Sequence, residues 1–224
     1  MKTMEFLKKE WLALAFLFIP TVLTLSYWTQ LPEQVPIHWN LQGKINGYQS
    51  KTAFLLFPLG LNIFVYLLLL VVPYIDPKPR AKQAVKPLRI VRIATMAFIA
   101  VIFGGIIFRA VGYNIDIILI GNLSAILLYL VLGNLMSKFP PNYFAGIRTP
   151  WTLEYPEIWR QVHRFASKLW VAGSLILLLF VFRLAYSSYI ILYFSVTAVL
   201  VLVPVIHSYL LYRKIRQQSP VDTE

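Results

Sequence analysis

The sequence predicts an all-α integral membrane protein of about six transmembrane helices with both termini in the cytoplasm, and three observations carry that expectation. The chain has 224 residues, 58% hydrophobic and only 13% charged, about half the charged share of an ordinary soluble domain. Trp11–Trp28, Thr52–Ile75 and Ile117–Ser137 contain no charged residue at all. An uncharged apolar run of about 18 residues is long enough to cross the hydrocarbon core. Finally, 17 of the 21 Lys and Arg residues fall on one side of the spans that the apolar runs define. That asymmetry places the basic side in the cytoplasm.

The apolar pattern gives spans at 11–28, 53–75, 90–111, 115–136, 168–186 and 189–212. Residues 1–75 then form a two-span N-terminal unit with an extracellular loop at 29–52. Residues 76–89, with Pro77, Pro79 and Pro87, form a basic cytoplasmic linker, read as a tether at the lipid surface. Residues 90–212 form a four-span unit with a cytoplasmic loop at 137–167, and 213–224 a cytoplasmic tail. Lys8 and Lys9 before an apolar run mimic a signal peptide, but no small-x-small cleavage site follows, so the run reads as the first span. Asn62, in mid-span, calls for a hydrogen bond to a neighbouring helix. Spans 3–4 and 5–6 look like two hairpins of one plan. Each has an Arg at its outer end (Arg109, Arg183) that snorkels to the interface. Asp116 is a candidate partner for Arg109, and Tyr186 and Tyr189 suit an interfacial aromatic belt.

Composition also excludes chemistry. Without cysteine there is no disulfide, Cys-zinc site or thiol nucleophile. The net charge of +12 lies between apolar segments, so it reads as topology signal beside anionic lipid and not as a face for direct contact with nucleic acid.

Two polar stretches remain to carry specificity. In the outer loop, Pro32 and Pro36 keep the chain extended, while Gly43 and Asn46-Gly47 are turn signals, the latter suited to a two-residue hairpin turn. His38, Trp39 and Tyr48 sit on this small cap, which is either a lid on the helix ends or a ligand site. In the cytoplasmic loop, Pro140-Pro141 stops span 4, Gly146 permits a tight turn, and Arg148 offers a planar donor fork. From Pro156 an amphipathic helix runs into span 5, with Ile158, Trp159, Val162, Phe165, Ala166 and Leu169 on one face. Trp151, Trp159 and His163 read either as anchors at headgroup level or as part of a docking surface.

The stretch N-Y-F-A-G-I-R-T-P-W-T-L from Asn142, followed by W-x-x-x-H-R, resembles the signature of the SdpI family of bacterial membrane immunity proteins. The stretch L-P-x-x-V-P-I-H-W-N-x-x-G-x-x-x-G-Y from Leu31 resembles an N-terminal domain of unknown function often joined to it. The resemblance implies a multi-pass protein of the bacterial plasma membrane that protects its producer from a secreted peptide toxin. It also implies capture of an ArsR-like transcriptional autorepressor at the membrane, and no cofactor. The matching positions inside are Asn142, Gly146, Ile147, Arg148, Thr149, Pro150, Trp151, Trp159 and His163. Outside they are Pro36, His38, Trp39, Asn40 and Gly43. The chain departs from the family pattern at Asn46, where an acidic residue is common, and at Phe165-Ala166-Ser167, where Gly is frequent.

Binding, not catalysis, is the expected activity. A small transporter or exporter is the alternative, although no span carries an Asp, Glu, Lys or Arg at its centre. A metal enzyme would have to draw on His163, His207 and Glu154 or Glu157, which lack any tight ligand spacing.

Overall fold

The computed structural model describes residues 2–40, 42–78 and 80–218. Pro79 of the linker and residues 219–224 of the expected tail lie outside the described residues. Helix α1 spans Lys2–Ser26, and a β-hairpin follows, with β1 at Gln34–Trp39 and β2 at Ile45–Ser50. α2 runs over Lys51–Ile75, and a 3-10 turn at Ala81–Ala84 leads into α3, Val85–Ala110. α4 (Ile117–Met136), the short α5 (Pro150–Glu154), α6 (Pro156–Phe180) and α7 (Tyr186–Gln218) complete the chain order.

Among the described residues five helices, α2, α3, α4, α6 and α7, are long and apolar enough to cross a membrane. α1, expected as the first span, is not among them. Its first turns carry Glu5, Lys8, Lys9 and Glu10, but its apolar part, Trp11–Ser26, still runs parallel to α3, from the Glu10–Arg92 pair at one end to the Tyr27–Phe108 contact just beyond the other. The fifth expected span also moves: α6 begins at Pro156, already in the loop, and ends at Phe180, with a turn before α7.

Local chemistry sets several of these ends. Ser50 caps α2 by accepting from Ala53 N. Asp116 caps α4 by accepting from the N–H groups of Ile118 and Leu119 at 3.1 and 3.0 Å. That cap, and not an ion pair with Arg109, is what occupies the Asp116 carboxylate; no such pair forms among the described residues. Pro156 stands in the first turn of α6, where its missing N–H costs nothing.

The helices pack in a chain of neighbours. α1 lies against α2 and α3, α3 also against α4, α4 against α6, and α6 against α7. α3 therefore belongs to both halves of the bundle. Backbones meet where glycine allows: a Cβ on Gly133 would stand 2.9 Å from Trp170 Cβ, and one on Gly173 2.9 Å from Leu200. Small residues at such crossings let membrane helices gain close van der Waals contact, which replaces the missing hydrophobic drive. Outward-facing Phe64, Leu127, Ile191 and Phe194 stay exposed, as a lipid-facing surface requires. Asn62 makes the expected cross-helix bond, donating to Leu17 O at 3.1 Å.

Two charges sit inside the bundle. Glu10 and Arg92, at the ends of the expected spans, turn inward and are buried. Arg92 Nε donates to Glu10 Oε2 at 3.0 Å, Nη2 to Oε1, and Nη1 to Leu69 O at 3.1 Å. The fork-to-carboxylate geometry ties α1 to α3, and the third bond ties both to α2. Tyr189, expected in an aromatic belt, is likewise buried, in a cluster with Ile126, Leu177 and Val181.

Candidate functional site

Two polar assemblies cap opposite ends of the bundle. At the first, the loop after α4 is built around Asn142, whose side chain is fully used. Its Nδ2 donates to Pro140 O and Ala145 O at 2.9 and 3.0 Å. Its Oδ1 accepts from Phe144 N and Ala145 N at 2.9 and 2.7 Å. Asn suits this role because one short side chain offers both donors and acceptors to nearby backbone. The loop then turns at Gly146, with φ at +107°. A Cβ there would lie 2.3 Å from His163 Nε2, so glycine is required twice over.

The removed side chain lets α6 reach the loop. Ile147 N donates to His163 Nε2 at 3.0 Å, while His163 Nδ1 lies 2.8 Å from Trp159 O. A carbonyl only accepts, so Nδ1 carries the proton and the ring is the neutral tautomer, with both nitrogens used. Trp159 stacks on that imidazole at 3.9 Å and donates from Nε1 to Phe139 O at 2.9 Å. Trp159 and His163 are buried within the protein, against the expectation of anchoring at headgroup level. The apolar face of α6, from Ile158 through Ala166, points at the loop and its neighbours, not at lipid.

Thr149 and Pro150 open α5, an element not anticipated from the sequence. Thr149 and Thr152 cap it reciprocally: Thr149 N donates to Thr152 Oγ1 at 2.8 Å and Thr152 N to Thr149 Oγ1 at 3.3 Å. The pattern T-P-x-T carries this signal, with Thr in the place more often held by Glu or Gln. Trp151 donates to Ser208 Oγ at 2.6 Å and stacks on Tyr212, so α5 is pinned to α7.

The linker is docked here too, and does not lie free as a tether. Asp76 accepts from Tyr143 N at 2.7 Å, and Lys78 Nζ donates to Leu153 O at 2.8 Å. Phe139 and Ala145 pack on Val72, Ala84 and Leu88. Of the motif residues, Asn142, Thr149, Trp159 and His163 face inward. Arg148, whose Nη1 donates to Tyr143 O at 2.8 Å, remains exposed together with Tyr143 and Phe144.

At the opposite end, β1 and β2 pair antiparallel, from Gln34 with Ser50 to Trp39 with Ile45. The turn falls at Asn40–Lys44 and not at Asn46-Gly47. Asn40 Oδ1 accepts from Gln42 N and Lys44 N at 3.0 and 2.9 Å, and Gly43 takes φ of +73°. Gly47 instead faces His38 across an irregular stretch of the ladder, where a Cβ would stand 2.8 Å from His38 Cβ. His38 Nδ1 donates to Asn46 Oδ1 at 2.6 Å. Val35, Pro36 and Trp39 turn toward the helices, Val35 and Trp39 packing on Leu31, Phe54 and Ile107. Ile37, His38, Ile45 and Tyr48 are left exposed.

Among the described residues, no group of three His, Cys, Asp or Glu side chains is placed to hold a metal ion. His207 lies against Phe165, and Glu157 pairs with Arg160, so neither joins His163.

The fold and its two caps define a multi-pass membrane protein whose helices are tied together by a hairpin at one end and a hydrogen-bonded loop at the other. Residues 138–208 match the SdpI/YfhL protein family, and residues 15–61 match a domain of unknown function, DUF1648. The chain is 28% identical over 215 residues to Immunity protein SdpI of Bacillus subtilis (strain 168), covering 93% of this chain and 98% of that relative. No solved structure matches it. The chain is thus similar to the SdpI/YfhL family over residues 138–208 and to DUF1648 over residues 15–61, and it is a multi-pass protein of the bacterial plasma membrane.

Proposed function

We propose that this chain is an immunity protein that protects its cell from a secreted antimicrobial peptide, met at the hairpin from outside the cell. The likeness to Immunity protein SdpI over nearly the whole chain supports the immunity role. The observation that carries the site is the free face of the hairpin. The strands are fixed by their turn and by packing beneath, yet Ile37, His38, Ile45 and Tyr48 stay exposed. An ordered apolar and aromatic surface loses little entropy on binding and suits an amphipathic peptide. The protein acts by binding and not by catalysis.

The bias of Lys and Arg toward the loop end supports an orientation with that end, and both termini, in the cytoplasm. Capture of a cytoplasmic repressor would then fall to exposed Arg148, Tyr143 and Phe144, because Trp159 and His163 are spent inside the loop.

Expression of this chain in a susceptible bacterium is expected to raise survival in culture supernatant from its source organism. In the same cells, Gln42→Cys should react with an impermeant thiol reagent and Gln161→Cys should not. Unchanged survival argues against immunity; reversed labelling argues against the orientation.

A further inference from the structure

At the loop end, a cavity of about 470 Å³ opens between α1, α2 and α3. Its charged lining is Glu5, Lys9, Glu10, Lys86, Arg89 and Arg92. Two cations are already matched: Lys9 pairs with Glu5, and Arg92 with Glu10. Among the described residues Lys86 has no carboxylate partner, and Arg89 reaches only Glu10, already held by Arg92, in a long ion pair. Arg89 Nε is buried without a hydrogen-bond partner, and its nearest carboxylate oxygen, Glu10 Oε1, stands 4.0 Å away, beyond hydrogen-bond range. With four cations against two carboxylates the cavity carries a net charge of +2, and Arg89 keeps one buried donor without a hydrogen bond. Its other walls are apolar, with Phe6, Leu70 and Tyr74 among them, and Phe6 and Tyr74 are exposed.

We propose that this cavity binds the phosphate of an anionic phospholipid. Lys86 and Arg89 hold the phosphate oxygens, and the acyl chains lie along Phe6, Leu70 and Tyr74. Arg suits such a group because its fork can present two parallel donors, while Lys adds a point charge. Basic pockets between membrane helices on the cytoplasmic side are the usual place for anionic headgroups. The apolar walls separate this occupant from free phosphate, which would gain nothing from them.

The test uses the purified full chain in a neutral detergent, with the thermal unfolding midpoint read after adding phosphatidylglycerol, phosphatidylcholine or inorganic phosphate. Phosphatidylglycerol should raise the midpoint by several degrees, and the other two should not. Lys86→Gln with Arg89→Gln should remove at least half of that rise, whereas Lys82→Gln, outside the cavity, should keep it. Native mass spectrometry of the unaltered protein gives a readout independent of variant folding, and should find phosphatidylglycerol retained over phosphatidylcholine. Equal shifts with both lipids, a shift with inorganic phosphate alone, or a full shift in the double variant would each overturn the proposal.

Discussion

Glu10→Leu is expected to destabilise the protein by about 3–5 kcal/mol, the usual cost of stranding one member of a buried ion pair. In the native protein the Arg92 guanidinium gives two donors to Glu10 and one to Leu69 O, with both side chains buried. Without Glu10, Arg92 keeps only the carbonyl, and Arg89 adds a second positive charge nearby. The helices affected are α1 and α3, so α1 should detach first. Glu10→Leu with Arg92→Met should recover most of the loss, since two apolar groups of similar size need no partner. The check is a double-mutant cycle on thermal unfolding in detergent, with a drop of about 10 °C for the single variant. Additive losses in the double variant would show that the two residues do not act as a pair.

Gly146→Ala should cost about 2–5 kcal/mol and disorder the loop. Two effects add: a left-handed φ imposed on a residue with a Cβ, and steric overlap with a ring stacked on Trp159 and hydrogen-bonded through both nitrogens. The φ is +107°, and the methyl would overlap His163 Nε2. The imidazole cannot yield without losing its bonds to Ile147 N and Trp159 O, nor Trp159 without losing Phe139 O. The expected result is a low membrane abundance and protease cleavage between Pro140 and Glu154. His163→Ala should restore part of the stability in the Gly146→Ala background by removing the obstacle. If Gly146→Ala accumulates normally and resists protease, the loop is not held as described.

The helices were legible because uncharged runs in a membrane protein have few other readings. The polar motif was legible as a place for the same reason: conspicuous Asn, Gly, Arg, Pro and Trp amid apolar sequence. What they do there was less so. Trp159 and His163 lie on an amphipathic face, and hydrophobicity cannot separate a face turned to lipid from one turned to protein, both being apolar. Glu10 and Arg92 stand at span ends, where charge ordinarily marks topology, and only the packing of α1 on α3 brings them together. Of the two turn signals in the hairpin, Gly43 holds the turn, while Asn46-Gly47, the stronger local signal, does not. Gly47 is needed instead for the close approach to His38, and Asn40 supplies the turn by accepting two backbone N–H groups. α5 was missed because its capping Thr pair departs from the usual pattern.

The most direct test of the account is survival of peptide-challenged cells carrying Ile37→Ser, His38→Ala and Tyr48→Ala together, with membrane abundance measured in the same cultures. These side chains are exposed, so the fold should persist and abundance should match the unaltered protein. The account predicts survival no better than that of cells lacking the protein. Full protection at normal abundance would contradict it, and would leave the hairpin as a lid on the helix ends.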